Sequence, residues 1–299
     1  MRILFVTSNR LGDAVLSTGL LDHLLHAHPT ARVTVVCGAV AEGVFARMPR
    51  RERTIVLEKR PYGLHWLPLW AATVPHWWDL VVDIRGSALS FLVPTRRRAV
   101  KRRADGHKTA QLASLLDLHP PPLPVVWTAP ADLARAAALL PTGRPLIALA
   151  PTANWAPKTW PADRFAALFH AVQRAMPDAI PLVLGGPGPT ERAMAAPLLA
   201  ALPTAIDLVG GLTVPEAAAC LARAALFVGN DSGLMHVAAA SGAPTIGLFG
   251  PTNAAEYGPA GRCTVAVRSP DGEMTGITVE AVRDAARALT PALPWRDAA

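Results

Sequence analysis

Short apolar runs alternate with stretches of helical period along the whole chain, and the alternation predicts its elements. Residues 3–6 read as a buried strand, and a polar turn leads to a helix over 14–26. There Val15, Leu16, Leu20, Leu21, Leu24 and Leu25 recur at helical spacing. Further strands are expected at 32–37, 54–57, 80–84 and 99–100, a short helix around Phe45, and a helix at 109–118. After a proline-rich break at 120–124 and a helix at 133–140, a second series begins. Its strands fall at 146–150, 180–184, 206–209, 224–228, 245–249 and 264–267. Its helices fall at 161–175, 190–202, 214–222, 234–240 and 279–289.

Strand and helix in regular turn predict an α/β protein with parallel sheets and helices on both faces. Pro141-Thr142-Gly143-Arg144-Pro145 is the best linker, so the domains are expected to be 1–142 and 143–278, with 279–299 as a terminal helix. Ligands in such sheets bind beyond the carboxyl ends of the strands. Two facing halves would therefore place their loops around a central cleft.

Composition agrees with a globular chain: 51% of the 299 residues are hydrophobic and 17% charged. The net charge of +7 is concentrated. Arg96, Arg97, Arg98, Lys101, Arg102, Arg103 and Lys108 lie close together, opposed only by Asp105. Such a run is either a solvated surface or a site for an anionic partner. No aromatic residue is interleaved with it, which argues against nucleic acid. Cys37, Cys220 and Cys263 have neither disulfide-framework nor metal-ligand spacing, so a reducing, cytoplasmic setting and no metal are expected. The first residues pass straight into a strand, unlike a signal peptide. The apolar window 64–82 is interrupted by His65, Pro68, Pro75, His76 and Asp79, which argues against a membrane span. Trp66, Trp70, Trp77 and Trp78 leave a lipid-touching surface open.

Four loops that follow strands carry the candidate chemistry. Asp13, after Arg10-Leu11-Gly12, is either a helix cap or a general base. Lys158, with Thr152 and Thr159, is either a solvated loop charge or a phosphate neutraliser with hydroxyl donors. Gly185-Gly186-Pro187-Gly188 is a tight turn or a weak nucleotide signal, with Glu191 placed to accept from a ribose. Asp231, Ser232, Gly233, Leu234 and His236 open a helix after a buried strand. Capping is the plain reading of Asp231 or Ser232; anion binding at the helix terminus is the functional one.

These segments resemble glycosyltransferase family 9, the lipopolysaccharide heptosyltransferases. The resemblance rests on Arg10-Leu11-Gly12-Asp13-Ala14-Val15, Lys158-Thr159-Trp160-Pro161, Gly185-Gly186-Pro187 with Glu191, Gly229-Asn230-Asp231-Ser232-Gly233-Leu234-Met235-His236, and Phe249-Gly250-Pro251-Thr252. It implies a GT-B fold of two Rossmann-like domains, with acceptor on the first and nucleotide-sugar donor on the second. It implies inverting, metal-independent transfer from ADP-heptose to a lipopolysaccharide core, with no cofactor. Asp13 would be the base and Lys158 the leaving-group partner. Thr152, Thr159, Gly186, Glu191, Asp231, Ser232, Gly233, Leu234 and His236 would hold the donor. Arg10, Arg97, Arg98, Lys101 and Arg102 would meet an anionic glycolipid acceptor, with peripheral contact at the cytoplasmic face of the inner membrane. The terminal helix at 279–289 would pack back on the first domain. The rival readings are a different nucleotide sugar on the same fold and a non-catalytic nucleotide-binding homologue.

Overall fold

The apolar runs pair as parallel strands in two separate sheets. The computed structural model describes residues 1–58, 61–101 and 104–295. Its chain divides into the units Met1–Thr128 and Ala129–Ala299.

The first unit runs β1 (Arg2–Val6), α1 (Leu11–Ala27), β2 (Arg32–Gly38), α2 (Ala39–Glu42), β3 (Arg51–Leu57), α3 (Trp66–Thr73), β4 (Trp78–Asp83), α4 (Leu89–Leu92), β5 (Thr95–Val100) and α5 (Lys108–Ala113). The strand order is β3-β2-β1-β4-β5, all parallel. The chain thus builds outward from β1 on one side, then crosses to β4 on the other. Ile3, Leu4, Phe5 and Val6 are fully buried, as a central parallel strand covered on both faces requires. Leu4, Val6, Val36, Leu69, Trp78, Val81 and Leu89 share one core cluster. The interruptions in the tryptophan-rich window concealed α3. Pro68 is the third residue of that helix, where its missing N–H costs nothing because first-turn amides have no intrahelical partner.

The second unit runs α6 (Pro130–Leu139), β6 (Leu146–Ala150), α7 (Ala162–Ala175), β7 (Ile180–Val183), α8 (Pro189–Ala201), β8 (Ile206–Asp207), α9 (Val214–Leu221), β9 (Leu226–Asn230), α10 (Gly233–Ala240), β10 (Thr245–Phe249), α11 (Ala254–Tyr257), β11 (Thr264–Arg268) and α12 (Val279–Leu289). The strand order β11-β10-β9-β6-β7-β8 again reverses direction, here between β6 and β9. Gly229 and Gly247 sit on neighbouring strands where a side chain has no room. A Cβ on Gly229 would lie 2.7 Å from the Phe227 ring and 2.9 Å from Ala150. One on Gly247 would strike Met235 of α10 and lie 2.9 Å from the Phe249 ring.

Two expectations about domain limits change. The helix before the proline-rich linker belongs to the second unit, so the division falls at Thr128/Ala129 rather than 142/143. Arg223, following α9, holds α6 there: its guanidinium donates to the carbonyls of Ala136 (2.8 Å) and Pro141 (3.1 Å). The terminal helix was expected on the first domain. Instead Val282 and Ala286 of α12 are buried in the second unit's core with Trp160, Phe165 and Phe169. The segment leading into α12 is fastened by Trp160 Nε1 and Arg164, both donating to the Ile277 carbonyl at 3.0 and 2.6 Å. Gly247→Ala is expected to destabilise this unit by about 1–3 kcal/mol through overpacking, read from denaturant unfolding. An unchanged midpoint would mean that α10 does not rest on that strand.

Candidate active site

In each sheet, two neighbouring central strands send their following connections in opposite directions, and the crevice at their carboxyl ends is where ligands bind. In the second unit those strands are β6 and β9, and the residues after them come together. Asn230, the last residue of β9, is fully buried and its amide spans the loop between β6 and α7. Nδ2 donates to the Pro151 carbonyl at 2.8 Å, and Oδ1 accepts from the Trp160 amide at 3.0 Å. Both ends of the loop are thereby fixed. Lys158 lies between them on a single turn, Ala156–Lys158, and its ammonium donates to Asp231 Oδ2 at 2.6 Å. That uses one of three ammonium protons.

Asp231 is buried, and its amide donates to the Leu248 carbonyl at 3.1 Å, prolonging the β9–β10 ladder. This corrects the plain reading of Asp231 as a helix cap. Ser232 occupies the cap position of α10, but its hydroxyl makes no capping bond. That Oγ is buried without any partner, and so are Thr159 Oγ1 and Thr252 Oγ1. An unpaired buried hydroxyl costs about 1–3 kcal/mol. Three of them follow the adjacent strands β6, β9 and β10. A polar deficit gathered at the carboxyl edge of a sheet marks a place that a polar ligand completes. Gly233 and Leu234 form the first turn of α10, where amides lack intrahelical acceptors, and buried His236 follows.

The β7 loop stands beside this group. Gly186 donates its amide to Glu191 Oε2 at 2.9 Å, so one oxygen of that carboxylate is committed to the loop. Thr152 is buried, its methyl 3.3 Å from where a Cβ on Gly185 would lie. Thr152, Gly186 and Glu191 therefore line one continuous edge.

In the first unit the crevice lies between β1 and β4. Asp13 is not the cap of α1; Arg10 holds that position, and Asp13 is the third helical residue. Its carboxylate, half-buried, accepts from Ser8 Oγ at 3.3 Å. A carboxylate in a first turn is favoured by the helix dipole. Across the crevice, Arg85 Nη1 donates to Asn9 Oδ1 at 3.2 Å, and its guanidinium lies 5.4 Å from the centre of the Trp66 ring. Arg85 is carried by a turn that Asp83 builds. The buried Asp83 carboxylate accepts from the amides of Arg85 (2.8 Å), Gly86 (3.0 Å) and Ser87 (2.8 Å) and from the Ser87 hydroxyl. Sequence reasoning included Asn230 and Thr252 in its motifs without giving them a role, and passed over Asp83 and Arg85. The spacing Asp83-x-Arg85-Gly86-Ser87 was a turn signal at a strand end and could have identified the last pair.

The proposed acceptor residues divide. Arg10, Arg97 and Lys101 are exposed. Arg98 is a brace instead: Nε donates to the Ser90 carbonyl at 2.7 Å and Nη2 to that of Val93 at 3.2 Å, tying β5 to α4. Arg102 and Arg103 lie outside the described residues. Burial pushes the Cys37 thiol up to about 12, with Glu42 adding to it, and the Cys220 thiol up to about 11. Both are neutral at physiological pH, poor nucleophiles and poor metal ligands. Among the described residues, no group of three or more His, Cys, Asp or Glu side chains could hold a metal ion.

Two Rossmann-like units in tandem, each with polar groups converging at its switch point, define an α/β protein of the GT-B class. The family model described as glycosyltransferase family 9 (heptosyltransferase) matches residues 90–282, and the chain belongs to that family: it is a glycosyltransferase. It is 24% identical to lipooligosaccharide heptosyltransferase 2 of Haemophilus ducreyi, over 93% of this chain and 91% of that one. A family 9 glycosyltransferase from Veillonella parvula superposes with a TM-score of 0.81 at 22% identity, covering 98% of this chain and 97% of that chain. The Escherichia coli ADP-heptose lipopolysaccharide heptosyltransferase II superposes with a TM-score of 0.76 at 22% identity, over 98% and 99% of the two chains.

Asn230→Ala strips a buried amide from both loop ends. It is expected to lower stability by about 1–3 kcal/mol in urea unfolding, because the Trp160 N–H and the Pro151 carbonyl lose their partner. A loss under about 0.5 kcal/mol would show that the loop is held by other means.

Proposed function

We propose that this glycosyltransferase moves a heptose from ADP-heptose to the inner core of lipopolysaccharide or a related anionic glycolipid, with inversion and without a metal ion. The donor and acceptor classes are those in the names of the relatives above. The observation that carries the reading is the Lys158–Asp231 pair, set among the unpaired hydroxyls of Thr159, Ser232 and Thr252. Glycosyl transfer develops positive charge at the anomeric carbon and negative charge on the departing diphosphate. The ammonium supplies the opposite charge, the hydroxyls donate hydrogen bonds, and the first turn of α10 adds amides at the positive end of its dipole. Thr152, on the same loop as Lys158, adds a hydroxyl on the phosphate side, and Gly186 and Glu191, at the neighbouring loop, take the nucleoside end of the donor.

Asp13 is the base in this reading. It accepts the proton of the acceptor hydroxyl as that oxygen attacks the anomeric carbon and the carbon–diphosphate bond breaks. One displacement inverts the centre. The Ser8 hydroxyl orients the carboxylate, and exposed Arg10 and Arg97 with half-buried Arg85 offer guanidinium groups to an anionic acceptor.

The tests are kinetic. Lys158→Ala is expected to lower kcat by roughly 10²–10³-fold, the usual loss when one preorganised donor is removed. Asp13→Ala is expected to abolish measurable turnover while leaving the melting curve and ADP affinity in place. Wild-type turnover in either variant would remove that residue from the mechanism. Activity is expected to persist in EDTA, and ADP is expected to raise the melting temperature more than UDP or GDP. Loss of activity on chelation, restored by a divalent ion, would contradict the metal-independent reading.

A further inference from the structure

The first unit exposes an apolar face that the chemistry above does not use. Two short helices make it. On α3, Leu67 and Trp70 stand one turn apart and are 60% and 42% exposed; on α4, Phe91 and Leu92 are 65% and 60% exposed. Trp70 Nε1 donates to the Leu92 carbonyl at 3.1 Å, so the helices are joined and their outward residues form one patch. Tyr62, just before α3, is 99% exposed. A contiguous patch of large apolar side chains marks an interaction surface, whereas isolated ones do not.

The charge beside the patch selects the occupant. Strand β5 edges the sheet next to α4 and carries Arg96, Arg97 and Arg98. Side chains alternate along a strand, so Arg96 shares a face with Arg98, whose guanidinium grips the carbonyls of Ser90 and Val93. Arg96 is exposed, and the alternation puts it on the α4 side of the strand. No free carboxylate offsets it between residues 61 and 101. Asp83 is buried in its turn, and Asp79 accepts from the Arg2 amide at 2.6 Å. Aromatic and aliphatic tips bordered by an uncompensated guanidinium group match a membrane interface with anionic headgroups. Two copies of the chain meeting through this face would bring like charges together.

We infer that the α3–α4 face, Leu67, Trp70, Phe91 and Leu92 with Tyr62 and Arg96, docks this protein on an anionic lipid bilayer. The tips enter the headgroup region and Arg96 pairs with phosphate. No helix among the described residues is long and apolar enough to cross a membrane, so the contact is peripheral. The inference does not rest on the donor or acceptor assignment.

Cosedimentation with vesicles tests it. The full chain is expected to bind phosphatidylglycerol–phosphatidylethanolamine vesicles and to bind pure phosphatidylcholine far less. Binding should weaken severalfold between about 50 mM and about 500 mM salt. Leu67→Ser with Phe91→Ser is expected to weaken vesicle binding at least about tenfold, since two inserted apolar side chains are lost. Both side chains are exposed, and an unchanged thermal melt by circular dichroism is the control. Should the double variant fail to fold, quenching of wild-type tryptophan fluorescence by brominated lipid decides, because Trp70 and Trp77 are exposed. No vesicle binding, undiminished binding by a folded double variant, or absence of quenching would each overturn the proposal. So would a wild-type dimer in sedimentation velocity that the double variant converts to monomer, which would make this face an interface between copies.

Discussion

One ion pair, Lys158 to Asp231 at 2.6 Å, is the constraint on which the second unit's chemistry depends. A lysine on a loop is ordinarily a mobile, well-hydrated charge that contributes little. Here the loop is fixed by Asn230, the ammonium is largely withdrawn from water, and its partner stands directly before a helix. An immobile charge needs little reorganisation when a leaving group becomes anionic, which is the condition under which electrostatic catalysis is large. In the proposed reading, the pair also accounts for a carboxylate beside the diphosphate. Asp231 spends one ammonium proton to aim the other two.

The two units solve the same problem with the same device. In each, the strand order reverses once, β1 against β4 and β6 against β9, and the reversal leaves a crevice that the helices do not fill. A buried polar side chain at a strand end then shapes the loop beside the crevice: Asp83 at the end of β4 and Asn230 at the end of β9. Neither needs to touch a substrate. Each satisfies loop amides or carbonyls that would otherwise be buried unpaired, and so sets the position of the cation nearby, Arg85 in one unit and Lys158 in the other.

The parallel α/β architecture was legible in the sequence because a strand covered on both faces must be apolar throughout. Runs such as 146–150 and 245–249 carry that signature plainly. The loops with glycine and polar residues after those strands were legible for the same reason: topology puts them at one edge. Capping was harder to read. Asp13, Asp231 and Ser232 all had the residue type of a cap, yet none of their side chains makes a capping bond: Asp13 and Asp231 lie off the cap position, because a helix start shifts by a residue or two, and Ser232 holds it with its hydroxyl unpaired. The assignments of α6 and α12 failed because linker composition says where a chain can bend, and not which core takes the helix beside it. Ala136 and Val282 could have been buried against either sheet as far as their own chemistry goes. Arg98 illustrates the remaining limit: from sequence it is one cation in a basic run, while in the fold its donors are spent on Ser90 and Val93.

The central claim is that Lys158, held by Asp231, recognises the second phosphate of a nucleoside diphosphate. Calorimetric titration of ADP and AMP against the wild type and Lys158→Met measures this directly. The account predicts that the wild type prefers ADP by at least about tenfold, worth about 1.4 kcal/mol, and that the preference collapses in the variant while AMP affinity holds. An ADP-to-AMP ratio that the substitution leaves unchanged would contradict it.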